Sequence, residues 1–109
     1  MNLLSKTDKK TLLEHVQRCF RLEQVFYTQH ARVEMRLEEF GPIQEREVFE
    51  AVQSGKVIER YEEDEPYPSI LIYGRTAAGR PIHVVCAYVP VITVYEPNPA
   101  WWINFERRR

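Results

Sequence analysis

A chain of 109 residues with 44% hydrophobic content is long enough for one core, too short for several domains, and unlike a disordered tail or a disulfide scaffold. Its formal net charge of −1 lacks the overall basic excess of proteins that grip nucleic acid through phosphates. Charge is nevertheless uneven, with the acidic run Glu62-Glu63-Asp64-Glu65 set against Arg18, Arg21 and the closing Arg107-Arg108-Arg109, so local basic patches stay open.

The N-terminal stretch has no apolar run of signal-peptide length, and no segment reaches the roughly 18 apolar residues of a membrane span; a cytoplasmic protein is expected. Cys19 and Cys86 fall on predicted apolar faces far apart in sequence, which reads as two buried thiols rather than a disulfide. No CxxC or Cys/His cluster suggests a structural zinc site.

In chain order, Leu12, Leu13, Val16, Cys19 and Phe20 recur at helical spacing and predict an amphipathic helix over about 7–22, capped by Thr7 or Asp8. After the β-prone run 24–27, Thr28 is placed to cap a second helix through Ala31, Met35 and Leu37 toward Phe40, stopped by Gly41-Pro42. A third helix is predicted from Gln44 to Ser54, with Gly55 as a left-handed cap. From there the period changes to that of strands: Lys56 to Tyr61, Ser69 to Gly74, Pro81 to Tyr88 and Val91 to Glu96. Pro90 suits a type VI turn before the last strand, and Trp101, Trp102 and Phe105 are expected to fold the C-terminal segment back onto the body. The expected fold is a single α+β domain over 1–109, with N-terminal helices packed on an antiparallel sheet of about four strands.

Pairing Tyr88 with Val91 would set His83 opposite Glu96, at one end of a face shared with Val85, Ala87, Ile92 and Val94. A carboxylate beside an imidazole raises its pKa and orients it for acid–base work, whereas a structural cross-strand pair is the alternative and a one-residue slip would erase the pair. His30 lies in the first turn of the second helix, with Arg32 and Arg36 beyond it; such a helix start can hold a phosphate. Contacts to Glu34 and Glu39 would instead make an ordinary solvated face. Arg75 and Arg80 flank the first turn of the sheet and could add cations beside His83, or serve solubility alone. Tyr67, held between Pro66 and Pro68, could present a fixed ring to a ligand or simply pack. Trp101 and Trp102 could stack on bases or close a core or dimer contact.

The order Tyr27-Thr28-x-His30-Ala31-Arg32-x-Glu34-Met35, Glu39-Phe40-Gly41-x-Ile43, Gly55-x-Val57-Ile58-Glu59-x-Tyr61, Asp64-x-Pro66-Tyr67-Pro68-Ser69, Gly79-Arg80-Pro81-x-His83-Val84-Val85 and Ile92-Thr93-Val94-Tyr95-Glu96-Pro97 resembles the small bacterial proteins grouped as domain of unknown function 4258. The resemblance covers roughly residues 24 to 106 and leaves the first helix as an addition. Members of that family look like relatives of the RelE-type toxins, and many are encoded beside a small antitoxin-like protein with a zinc-finger segment. The resemblance therefore implies a RelE-like fold, a toxin-antitoxin partnership and a metal-independent RNA endonuclease without a cofactor. In that reading His83, helped by Glu96, and His30 share acid and base work, Tyr95 orients substrate, and Arg32, Arg75 and Arg80 offset phosphate charge. The chain departs from the family in carrying Glu34 and Glu38 where other branches tend to have arginine, and in a shorter connection before Ile92. The rival expectation is a non-catalytic protein-binding module with structural histidines, RNA or a homodimer being the other candidate partners.

Overall fold

In the computed structural model, which describes residues 8–63, 68–87 and 91–109, Asp8 opens helix α1 (Lys9–Arg21) by accepting the Thr11 N–H at 2.7 Å. That bond satisfies one of the donors every helix start leaves free. Leu12, Val16, Cys19 and Phe20 form its buried stripe. Thr28 opens α2 (Gln29–Arg36) in the same way, its Oγ1 accepting the Ala31 N–H at 3.0 Å. This helix stops at Arg36 rather than running toward Phe40. The chain turns through Gly41, at φ 109°, so that Ile43 can bury and donate its N–H to the Met35 carbonyl at 2.8 Å. Helix α3 (Glu45–Ser54) buries Val48, Ala51 and Val52, and Glu47 reaches back to accept the Gln44 N–H at 3.0 Å. Among the described residues no helix is long and apolar enough to cross a membrane.

Four strands come next, β1 (Lys56–Tyr61), β2 (Ser69–Arg75), β3 (Pro81–Cys86) and β4 (Val91–Tyr95), paired antiparallel in chain order. The architecture is therefore α+β, three helices before a four-stranded antiparallel sheet, and its 13.0 Å radius of gyration is that of a compact domain of this length. One face of the sheet sends Val57, Ile70, Ile72, Ile82, Val84, Cys86 and Val94 into a core shared with Leu12, Val16, Phe20, Met35, Val48 and Val52. The two cysteines are buried free thiols, as expected.

Helix α3 approaches β2 so closely that two glycines are sterically required. A Cβ at Gly74 would stand within 2.9 Å of three Ala51 backbone atoms, and one at Gly55 would stand 2.6 Å from the Ala51 carbonyl oxygen and 2.8 Å from Ile72 Cγ2. Gly55 is not the left-handed cap the sequence suggests: its φ is −91°, and space rather than backbone conformation selects glycine there.

Two register shifts decide which side chains meet. On β1, Val57 pairs with Ile72 but Glu59 pairs with Leu71, so one extra residue, Ile58, bulges and re-aims the rest of the strand. Glu59 and Tyr61 thereby join Leu71 and Tyr73 on the face away from the helices. Between β3 and β4, His83 pairs with Tyr95, Val84 with Val94 and Val85 with Thr93 before a further shift at Cys86 and Val91. The expected His83–Glu96 pair is therefore not formed. The register is one residue away, which keeps the fully buried Val84 and Val94 together on the helix face and leaves Glu96 beyond the strand. Tyr67 and the proposed type VI turn at Pro90 lie outside the described residues.

The second face of the sheet is covered by the C-terminal segment, a hairpin of β5 (Trp102–Ile103) and β6 (Arg107–Arg108). Asn104 and Phe105, at φ 52° and 63°, close its turn, with the Glu106 N–H on the Ile103 carbonyl at 3.0 Å. Trp102 is buried and Trp101 is exposed, so the tandem pair divides between core and surface.

Replacing Gly74 with alanine sets the new methyl against rigid helix backbone rather than a movable side chain. Gly74→Ala is expected to cost about 3 kcal/mol or more in urea unfolding; a variant as stable as the parent would contradict the α3–β2 approach.

Candidate functional site

His83 is the only histidine among the described residues that is fully buried, at 0% exposure. Its Nε2 lies 2.7 Å from the Phe105 carbonyl oxygen and its Nδ1 lies 3.1 Å from the Tyr95 hydroxyl. A carbonyl can only accept, so Nε2 carries the proton and Nδ1 accepts from the Tyr95 O–H. The Trp102 ring meets the imidazole edge-on at 4.5 Å, with Tyr95 at 5.1 Å and Tyr73 at 5.8 Å. Burial pushes the His83 pKa down to about 4, against the opposing pull of the Phe105 carbonyl and of Glu59. Burial likewise pushes the Tyr95 hydroxyl up to about 12. The site holds a neutral imidazole and a neutral phenol.

The hairpin is fastened beside this pair by charge. Arg108 donates from Nε to Glu59 Oε2 at 3.0 Å and from Nη2 to Glu59 Oε1 at 3.1 Å, reaches the Tyr61 hydroxyl at 3.4 Å, and lies 4.7 Å over the Trp102 ring. Lys56 pairs with Glu106 at 2.8 Å. Burial opposes ionisation of Glu59, but the hydrogen bonds from Arg108 and Tyr61 outweigh it and hold the carboxyl below its usual range.

Glu96, expected beside His83, instead pairs with Arg80 Nε. Arg80 also reaches Glu47 at 3.2 Å and the carbonyls of Pro42, at 3.0 Å, and Gly41. This guanidinium therefore joins the turn after α2, the start of α3 and the end of β4, with its charge met by two carboxylates. Burial alone would lower its pKa, yet the hydrogen bonds to Glu96 and Glu47 raise it.

The other expected site residues are spread apart. His30 stands exposed on α2 and contacts Glu34 at 3.1 Å, the solvated-face alternative. Arg32 meets Glu45 at 3.2 Å and stacks 5.2 Å from the Tyr27 ring. Arg75 donates to the Gly79 carbonyl at 2.8 Å and lies over the Phe105 and Tyr73 rings, at the outer edge of the cluster. Of the residues singled out in the sequence, the structure brings together His83 and Tyr95, with Arg75 nearby, and separates them from His30, Arg32, Arg80 and Glu96. Glu59, Tyr61, Trp102, Phe105 and Arg108 carry no signal in the sequence that assigns them to the site; the Ile58 bulge and the short hairpin place them there, and neither has a period to read. Among the described residues no group of three or more His, Cys, Asp and Glu side chains is placed to hold a metal ion.

A histidine kept neutral in the fold but free to protonate when unfolded makes stability depend on pH. The unfolded chain binds the extra proton below about pH 6.5 and the folded one only near 4, so the contribution is full above 6.5 and is lost as pH falls toward 4. The loss is on the order of 3 kcal/mol, and His83→Gln is expected to flatten the pH dependence of the urea midpoint in that window; an unchanged slope would contradict the buried neutral state. Separately, Arg80→Met leaves Glu47 and Glu96 facing each other and is expected to cost about 2–4 kcal/mol in thermal unfolding, whereas a near-neutral effect would show the clasp to be ornamental.

No curated protein and no solved structure matches the chain. The pattern of one family matches residues 27–96, more than half of the sequence, spanning α2 through the end of β4 and including His83, Tyr95 and the Arg80 clasp. The chain belongs to the family described as Domain of unknown function (DUF4258).

Proposed function

We propose that this protein works by binding a protein partner, as a toxin-like component of a two-protein pair, with His83 in a structural role. The observation that carries the reading is the state of His83: fully buried, with both ring nitrogens engaged and its pKa near 4. A general acid or base must reach the proton it transfers and titrate near working pH, and this imidazole does neither while the hairpin is in place. The expected phosphate-binding arginines add support, because Arg80 and Arg32 face carboxylates. An antitoxin-like protein with a zinc-finger segment is the proposed partner and the cytoplasm the proposed location. The order of helices before an antiparallel sheet is compatible with kinship to RelE-type toxins.

The second reading is the metal-independent RNA endonuclease, favoured by one observation: His83 and Tyr95, picked out separately in the sequence, meet at 3.1 Å. In that reading the hairpin moves aside, and His83 and His30 assist attack of a ribose 2′-OH on the adjacent phosphate. Purified protein, the Tyr95→Phe variant and a His30→Ala/His83→Ala variant, incubated with total RNA with and without ribosomes, separate the two. No cleavage by any of them is expected. Fragments with cyclic-phosphate ends from the parent, lost in both variants, would overturn the binding reading; Tyr95→Phe keeps the buried ring and so guards against simple unfolding.

A further inference from the structure

The residues of α2 not used by the core form a second, outward-facing surface. Ala31 and Met35 are buried, whereas Val33 is half-buried and Leu37 and Phe40 are 70% and 45% exposed. Val33 and Leu37 stand one turn apart, the Leu37 N–H on the Val33 carbonyl at 3.0 Å, and form one apolar patch at the end of the helix. Exposed apolar side chains that are contiguous and rimmed by polar ones mark interaction sites more often than scattered ones do.

The rim is mainly acidic, with His30 beside Glu34 at 3.1 Å as its one basic side chain among the lining residues. A groove of about 410 Å³ is lined by His30, Val33, Glu34, Leu37, Glu38 and Glu39, an apolar floor edged by three carboxylates. The nearby cation Arg80 is already met by Glu47 and Glu96, while Arg32 pairs with Glu45. Burial first, and then the charge of Glu96, push the Glu38 carboxyl above its usual range, while Arg80 and backbone hydrogen bonds pull it back. A cation delivered to this rim would face Glu34, Glu38 and Glu39, and an apolar side chain delivered to the floor would cover Val33 and Leu37. A groove of about 540 Å³ beside Phe49 and Val25 carries Arg21 and Arg46 as well as Glu23 and Glu45, and one of about 460 Å³ on α1 carries Arg18 and Arg21 with Glu14, so neither is edged mainly by carboxylates.

We propose that the groove along α2 docks a basic amphipathic helix of a protein partner, with apolar side chains on Val33 and Leu37 and lysine or arginine on Glu34, Glu38 and Glu39. This deepens the binding-module reading and rests on it. The recognition mode is the helix laid into an apolar groove, with anchors one turn apart giving affinity and the charged rim giving orientation and rate.

The test titrates isotope-labelled protein with a synthetic helical peptide of about four turns carrying Leu and Arg at i,i+4 spacing, and with a version in which every Arg is Glu. Amide shifts are expected to be confined to residues 30–40 and the adjoining 96–98, with no binding of the acidic version. Leu37→Ser and the double variant Glu34→Gln/Glu38→Gln are each expected to weaken binding about tenfold or more, while Phe49→Ser leaves it unchanged. All these side chains are exposed or half-exposed, so the variants keep the fold, checked by their unfolding midpoints. Absence of binding, affinities untouched by the groove variants, or the same shifts produced by a single-stranded RNA oligonucleotide would each overturn the proposal. Shifts centred beside Phe49 would overturn this groove yet leave the binding-module reading standing. RNA cleavage by the protein would defeat that reading whatever the peptide does.

Discussion

The hydrogen bond from His83 Nε2 to the Phe105 carbonyl, at 2.7 Å, joins the C-terminal hairpin to the centre of the sheet. The second face of the sheet carries Leu71, Tyr73, Val85 and Tyr95 around the imidazole, and without a cover it would leave a large apolar surface in water. A buried imidazole is tolerated only if both nitrogens find partners. The backbone carbonyl selects the Nε2–H tautomer, and that choice makes Nδ1 the acceptor for Tyr95. The carbonyl is presented by two successive left-handed residues, Asn104 and Phe105, a conformation that costs a residue with a side chain about 1–2 kcal/mol. The Phe105 ring, with the Arg75 guanidinium 5.5 Å from it and Tyr73 at 6.3 Å, and the Trp102 ring on His83 offset that cost by packing.

Electrostatics obey the same logic. Two arginines act as clasps at opposite places: Arg80 ties the end of β4 to the start of α3 through Glu96 and Glu47, and Arg108 ties the hairpin to β1 through Glu59. Arg80 is largely covered and met by two carboxylates, and Arg108, still exposed, is met by one. Three carboxylates, Glu34, Glu38 and Glu39, line one groove at the end of α2, where Leu37 is also exposed. His83 and Tyr95 are thus turned inward to hold the fold, while the groove proposed for a partner is acidic and apolar.

Element order is legible in the residues because helical and strand periods are strong over such lengths: the three helices, the change of period after Gly55 and the four strands follow in the order the patterns give, although α2 ends at Arg36 rather than toward Phe40. Register is not. It turns on single extra residues, Ile58 on β1 and the shift near Val91 on β4, and one extra residue exchanges the faces of everything beyond it. The pairing of His83 with Glu96 fails because Val91 pairs with Cys86, two residues earlier than expected, and the extra residue on β4 then sets His83 opposite Tyr95. The hairpin is foreshadowed only as a return of the tryptophans, since two-residue strands carry no period. Gly55 stands out in the sequence as special, but its cause is different there, because the collision it avoids involves Ala51 and Ile72, contacts that only the folded chain creates.

The most direct measurement of the central claim is a long-range proton–nitrogen NMR spectrum of the His83 ring, tracked from pH 7 down to about 5. The account expects a neutral ring protonated at Nε2 throughout, as burial with a pKa near 4 demands. A ring that titrates near its ordinary value, or one protonated at Nδ1, would mean that the hairpin does not seal the site and that His83 is available for chemistry.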